Sequence, residues 1–108
     1  MPKRDLTEEE KERINEIIKE REKHKVKKGF ICHLCLGKFK NAIKVTGWID
    51  VQNPISYMML SQRDYHLDEW DGMVTKIHFV DKIICNFCYE IISDSLLAEK
   101  TEEIVYSE

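Results

Sequence analysis

Glycine and proline are scarce, at 4 and 2 of 108 residues. With 43% apolar and 34% charged residues the composition is globular and excludes a fully disordered tail. No apolar run approaches the roughly 20 residues of a membrane span, which excludes a helical membrane protein. The opening MPKRDLTEEEKER places no apolar stretch behind its basic residues, so no secretory signal is read there and a cytoplasmic protein is expected. A Gly-rich phosphate loop, a G-x-S-x-G elbow, internal repeats and low-complexity segments are all missing. The length excludes a multidomain enzyme. A chain this short buries roughly two thirds of its unfolded surface, so its core is modest and invites a staple.

The cysteines supply a candidate for that staple. All four fall in two C-x-x-C pairs, Cys32/Cys35 in FICHLCLGKF and Cys85/Cys88 in IICNFCYEII. Two residues between cysteines let a tight turn aim both sulfurs at one ion. Two such turns complete a tetrahedron of thiolates with no open position, which is the pattern of one structural zinc ion. Three alternatives stay open. Disulfides require an oxidising compartment. Redox chemistry by one pair requires a thioredoxin-like βαβ context, which is not visible. Rubredoxin-like iron uses the same four thiolates, but Leu36 and Tyr89 stand where such sites usually carry Gly.

Charge of one sign is missing locally. The net charge of -3 covers 13 Lys/Arg against 8 Asp/Glu in residues 1–44 and 4 against 12 in residues 45–108. Between residues 23 and 44 there are seven lysines (Lys23, Lys25, Lys27, Lys28, Lys38, Lys40 and Lys44) and no acid. These lysines bracket the first cysteine pair. They read as support for a site of formal charge -2, as a phosphate-facing patch, or as a solvated basic face. The stretch contains no Arg, so bidentate base reading is not expected and any nucleic-acid binding should be weakly specific and salt-sensitive.

Along the chain, residues 7–28 predict a helix: Thr7 with Glu10 forms a capping box, lysines gather toward Lys28, and Gly29 is a stop. Its apolar stripe of Ile14, Ile17 and Ile18, then Val26, is thin. That stripe is a candidate partner-docking edge, against the plainer reading of a solvent-facing helix. Residues 30–39 form the first knuckle, with His33 as a surface residue. Residues 43–51 alternate as a strand, Ile43, Val45, Ile49 and Val51 on one face, with Gly47 marking a bulge. After the Asn53-Pro54 turn, ISYMMLS is read as a strand. QRDYHLDEWDG (residues 62–72) predicts an exposed loop. Its Asp64, His66, Asp68, Glu69 and Asp71 fit no calcium loop and read as solvated acids, while Tyr65, Leu67 and Trp70 suit a protein-binding tip or packing onto the core. Residues 74–80 predict a strand with His78 exposed, and Asp81-Lys82 a turn into the second knuckle. A helix is expected from about Asn86 to Glu99, then an acidic, fraying tail.

Knuckle, strands, then C-x-x-C opening a helix resembles the treble-clef type of zinc-binding domain over roughly residues 30–99. The resemblance rests on Cys32, Cys35, Cys85, Cys88 and the apolar run after Cys88. It implies a zinc ion held between the knuckle and the first turn of the helix, and no single activity. HNH-type nucleases, including phage resolvases, form one branch, and DKIICNFC is similar to the segment before their second pair. Such enzymes use a general-base His beside an Asp. No Asp-His pair lies between the two cysteine pairs here, His66 and His78 lack that context, and Tyr89 replaces a common Asn.

The expectation is therefore a small zinc-stapled α+β domain: an N-terminal charged helix (1–29), a four-cysteine domain (30–100) and an acidic tail (101–108). The function expected is a non-enzymatic regulatory or accessory module, in the style of a phage accessory protein, meeting a protein partner through Ile14, Ile17 and Ile18 and the acidic, aromatic-bearing half. The alternatives are a nucleic-acid-binding module using the lysines and an HNH-like nuclease. No membrane partner is expected, and the oligomeric state is not legible.

Overall fold

A computed structural model of the chain describes residues 5–61, 65 and 75–107. Among these, three α-helices and two small antiparallel sheets form an α+β fold. Helix α1 (Glu8–Lys23) begins at the capping box: Thr7 accepts from the Glu10 amide at 3.2 Å, and Glu10 accepts from the Thr7 amide at 3.0 Å. The helix ends five residues earlier than the sequence predicts. His24 caps it, and the Val26 amide donates to the Lys38 carbonyl, so residues 25–28 leave the helix to run beside the next hairpin. Gly29 serves that hairpin rather than the helix end, because a Cβ there would lie 2.4 Å from the Phe39 carbonyl oxygen.

Strands β1 (Phe30–Ile31) and β2 (Lys38–Phe39) pair antiparallel, and the turn between them carries the first cysteine pair. Strand β3 (Asn41–Asp50) is the centre of a sheet ordered β4-β3-β5. Its Val45 and Ile49, with Val51 just beyond, are buried as the alternation predicts; Ile43 is only half-buried. Gly47 does mark an irregularity, but the extra residues belong to its neighbours. On β4 three steps from Lys82 to Phe79 match two from Val45 to Gly47, and on β5 Glu99 is the additional residue. A side chain at Gly47 would meet the Leu97 carbonyl oxygen at 2.4 Å, so the β5 backbone closes over that position.

Three expectations are corrected. Residues 54–61 are a helix, α2 (Pro54–Ser61), not a strand. Pro54 takes the first helical position, Asn53 accepts from the Ile55 amide through its side chain and from the Tyr57 amide through its carbonyl, and Ile55, Met59 and Leu60 share the buried face. Strand β4 (Lys76–Cys85) runs through Asp81-Lys82 instead of turning there. Asp81 takes φ +49° and is held by Thr46, whose hydroxyl accepts from the Asp81 amide at 2.9 Å, which makes it a bulge. Finally, the last helix, α3 (Asn86–Ile92), is short. A 3-10 turn at Ser93–Ser95 redirects the chain into strand β5 (Leu96–Val105), so the expected fraying tail is largely an edge strand on β3.

Val45, Ile49, Phe79, Ile84, Ile91 and Ile92 form the centre of the core, and Ile14 and Ile17 of α1 join the same cluster. Arg13 fastens α1 to α3 by donating to the carbonyls of Glu90 and Ile91, at the C-terminal end of α3, at 3.3 and 3.4 Å. The N-terminal helix and the four-cysteine region thus share one interior. Residues 62–64 and 66–74, which include most of the expected loop, lie outside the described residues.

Candidate metal centre

Each cysteine pair is placed by a different piece of backbone. Cys32 follows β1, and the turn closes through Cys32 N–H to the Gly37 carbonyl and Leu36 N–H to the Cys32 carbonyl, both 2.9 Å, with Leu36 at φ +61°. Cys85 is the last residue of β4 and the N-cap of α3, and Cys88 lies in the first turn of α3. The two pairs share a local pattern. The first sulfur accepts from the amide of the second cysteine, Cys35 N–H to Cys32 Sγ at 3.5 Å and Cys88 N–H to Cys85 Sγ at 3.3 Å. Backbone amides aimed at sulfur favour the thiolate.

The four sulfurs come together within 4.8 Å of one another, with Cys35 and Cys85 at 4.0 Å. Metal–sulfur bonds of about 2.3 Å give a tetrahedron whose edges are about 3.8 Å, so the cluster is positioned to bind a metal ion. None of the four is in a disulfide. Cys32, Cys85 and Cys88 are buried and Cys35 is half-buried. Four thiolates around one ion would complete a tetrahedron.

Thiols packed this closely do not ionise independently. Contact with Cys35, Cys85 and Cys88 holds Cys32 far below the ordinary thiol range. Cys35 is pushed up by Cys32 and pulled down by Cys85 and Cys88, and comes to about 7. Cys85 and Cys88 are both pushed up, first by Cys32. A bound dication removes this conflict by favouring every thiolate at once.

The cation that serves the cluster is Arg21, which the charge pattern did not reveal. Its Nη1 donates to Cys88 Sγ at 3.6 Å, and its buried Nε has no hydrogen-bond partner among the described residues. Burial works against its charge, yet attraction to Cys88, and then to Cys35 and Cys85, raises its pKa. The signal lay in spacing: Ile14, Ile17 and Arg21 recur on one helical face, so a guanidinium continues the buried stripe.

The lysines divide. Lys23, Lys25 and Lys40 line a groove of about 530 Å³ beside the metal centre, together with His24, Val26, Phe39, Asn41, Asn86 and Phe87. Lys44 is engaged elsewhere, 3.6 Å from Glu102 on β5. Lys27, Lys28 and Lys38 are exposed and do not line the groove. His33 is not a surface residue: it is half-buried, its Nε2 lies 2.5 Å from the Tyr65 hydroxyl, and its ring meets Phe79 edge-on at 5.7 Å. His78 is exposed as expected, stacked on Trp48 at 4.5 Å and 3.2 Å from Glu99. Asp64, His66, Asp68, Glu69 and Asp71 lie outside the described residues, as do Leu67 and Trp70.

Of the expected docking stripe on α1, Ile14 and Ile17 are 3% and 8% exposed and Ile18 is half-buried, all three packed into the core. Ile14→Ala is therefore expected to lower folding stability by about 2–5 kcal/mol, read from urea unfolding; a change within about 0.5 kcal/mol would mean that the helix does not pack.

No protein-family model matches the chain, and neither a curated protein nor a solved structure does.

Proposed function

We propose that the chain is a zinc-stapled module that binds nucleic acid and has no catalytic role. Four thiolates are the donor set of structural zinc, and the arrangement of a hairpin turn facing the first turn of a helix supports the treble-clef reading. The observation that carries the binding role is the groove where Lys23, Lys25 and Lys40 converge, with no acid among the described residues of its lining. Lys23 and Lys25 pair with Glu20 and Glu22 at 3.4 and 2.6 Å, but such exposed pairs are weak and yield to phosphate. Lys40 has no ion-pair partner among the described residues. Three phosphate contacts predict that log K falls with log salt at a slope of about -2 to -3. Fluorescence anisotropy from about 50 to 200 mM salt measures it. Absence of binding at the lowest salt rejects the reading.

A protein-partner reading has its own observation on the three-stranded sheet. Trp48 on β3 and Leu97 on β5 are register partners that remain 42% and 70% exposed, beside the acidic edge strand. Trp48→Ala that abolishes capture of a partner while leaving nucleic-acid binding intact would move the function to that face.

A further inference from the structure

The basic groove is also aromatic, and this bears on which nucleic acid it takes. Phe87, half-buried, lies in contact with exposed His24, ring centroids 5.1 Å apart and planes inclined by 38°. Phe39 backs them from the core, 6.1 Å from Phe87. The His24 ring is held through its edge, where Nδ1 donates to the Glu20 carbonyl at 2.8 Å. Asn41 and Asn86, both exposed, add side-chain amides to the lining.

A duplex offers such a groove only phosphates and base edges. Its base faces are covered by stacking, so ring contacts with Phe87 and His24 would be idle. Among the described residues the longest helix, α1, exposes Glu8, Glu9, Glu12, Glu16 and Glu20 against Lys11 and Lys19, an acidic balance that opposes entry into a major groove. A single strand uses every feature at once: an unpaired base stacks on the rings, the amides meet its edge, and the flanking phosphates meet the lysines. The groove's 530 Å³ falls within the range of sites that enclose a small ligand.

We infer that the groove between the C-terminal end of α1 and the start of α3 is a base-stacking site, and that the module's ligand is single-stranded nucleic acid. This inference rests on the nucleic-acid reading above.

The test uses the full metal-loaded chain with fluorescein-labelled oligo-dT and oligo-U of about 12 nucleotides and a duplex of the same length. The single strands are expected to bind at least ten-fold more tightly than the duplex, and the two arms show whether the sugar matters. Phe87→Leu is expected to weaken single-strand binding about ten-fold without changing the salt slope, and Lys40→Gln to reduce the slope by about one. His24→Ala, at an exposed position, gives the same loss of stacking should Phe87→Leu fail to fold or to retain metal. Duplex binding equal to or tighter than single-strand binding overturns the inference. So does unchanged affinity in the variants of the two rings. Either result with a steep salt slope leaves the broader nucleic-acid reading standing, whereas no binding of any oligonucleotide removes both.

Discussion

Cys88→Ser, or removal of the metal by a chelator, is expected to unfold the chain. Strands β1 and β2 have two residues each, too short to persist as an isolated hairpin. Leu34 and Phe39 seat that hairpin in the core, and the convergence of Cys32 and Cys35 on Cys85 and Cys88 fastens it across about half the sequence. Arg21 draws α1 onto the same sulfurs, so losing one ligand also leaves a half-buried guanidinium facing a broken site. Metal binding contributes on the order of 10 kcal/mol to folding in small zinc domains, comparable to the whole stability of an ordinary domain. Circular dichroism of the chelated protein should show a cooperative loss of structure that added zinc restores. A native spectrum and an unchanged melting temperature after complete metal removal would show that the core needs no staple.

Phe79→Ala is expected to cost about 3–5 kcal/mol in the metal-loaded protein. Phe79 is fully buried on β4, and its ring meets His33 from the cysteine-bearing turn at 5.7 Å and Tyr65 at 6.4 Å. It joins the central sheet to the first cysteine turn without supplying a sulfur to the cluster. The substitution should lower the urea midpoint while leaving metal content unchanged. A loss below about 1 kcal/mol would mean that the neighbouring rings collapse into the space.

Features with local causes were legible in the sequence. The capping box of Thr7 and Glu10 acts within one turn of helix, and the alternation of Val45, Ile49 and Val51 is the period of a half-buried strand. The cysteine spacing is likewise local, and the four sulfurs do converge. What escaped was set by tertiary context. ISYMMLS is apolar along nearly its whole length, so its period could not separate strand from helix, although Asn53-Pro54 carried the helix-start chemistry. The β5 residues are almost all exposed and show no alternation, because the strand is held by backbone pairing to β3 rather than by a buried face. Leu96 and Leu97 extended the helical spacing of Cys88, Ile91 and Ile92, which hid the break at Ser93–Ser95. The lysines drew attention as the counter-charge to the thiolates, but the helix that carries Arg21 packs over the sulfurs and places a guanidinium there instead.

The most direct measurement is X-ray absorption at the zinc edge on protein purified without added metal, with the metal counted per chain. One zinc per chain, surrounded by four sulfurs at about 2.3 Å, is the predicted result. Metal-free protein with its cysteines oxidised in pairs, or zinc bound through nitrogen and oxygen, would contradict it.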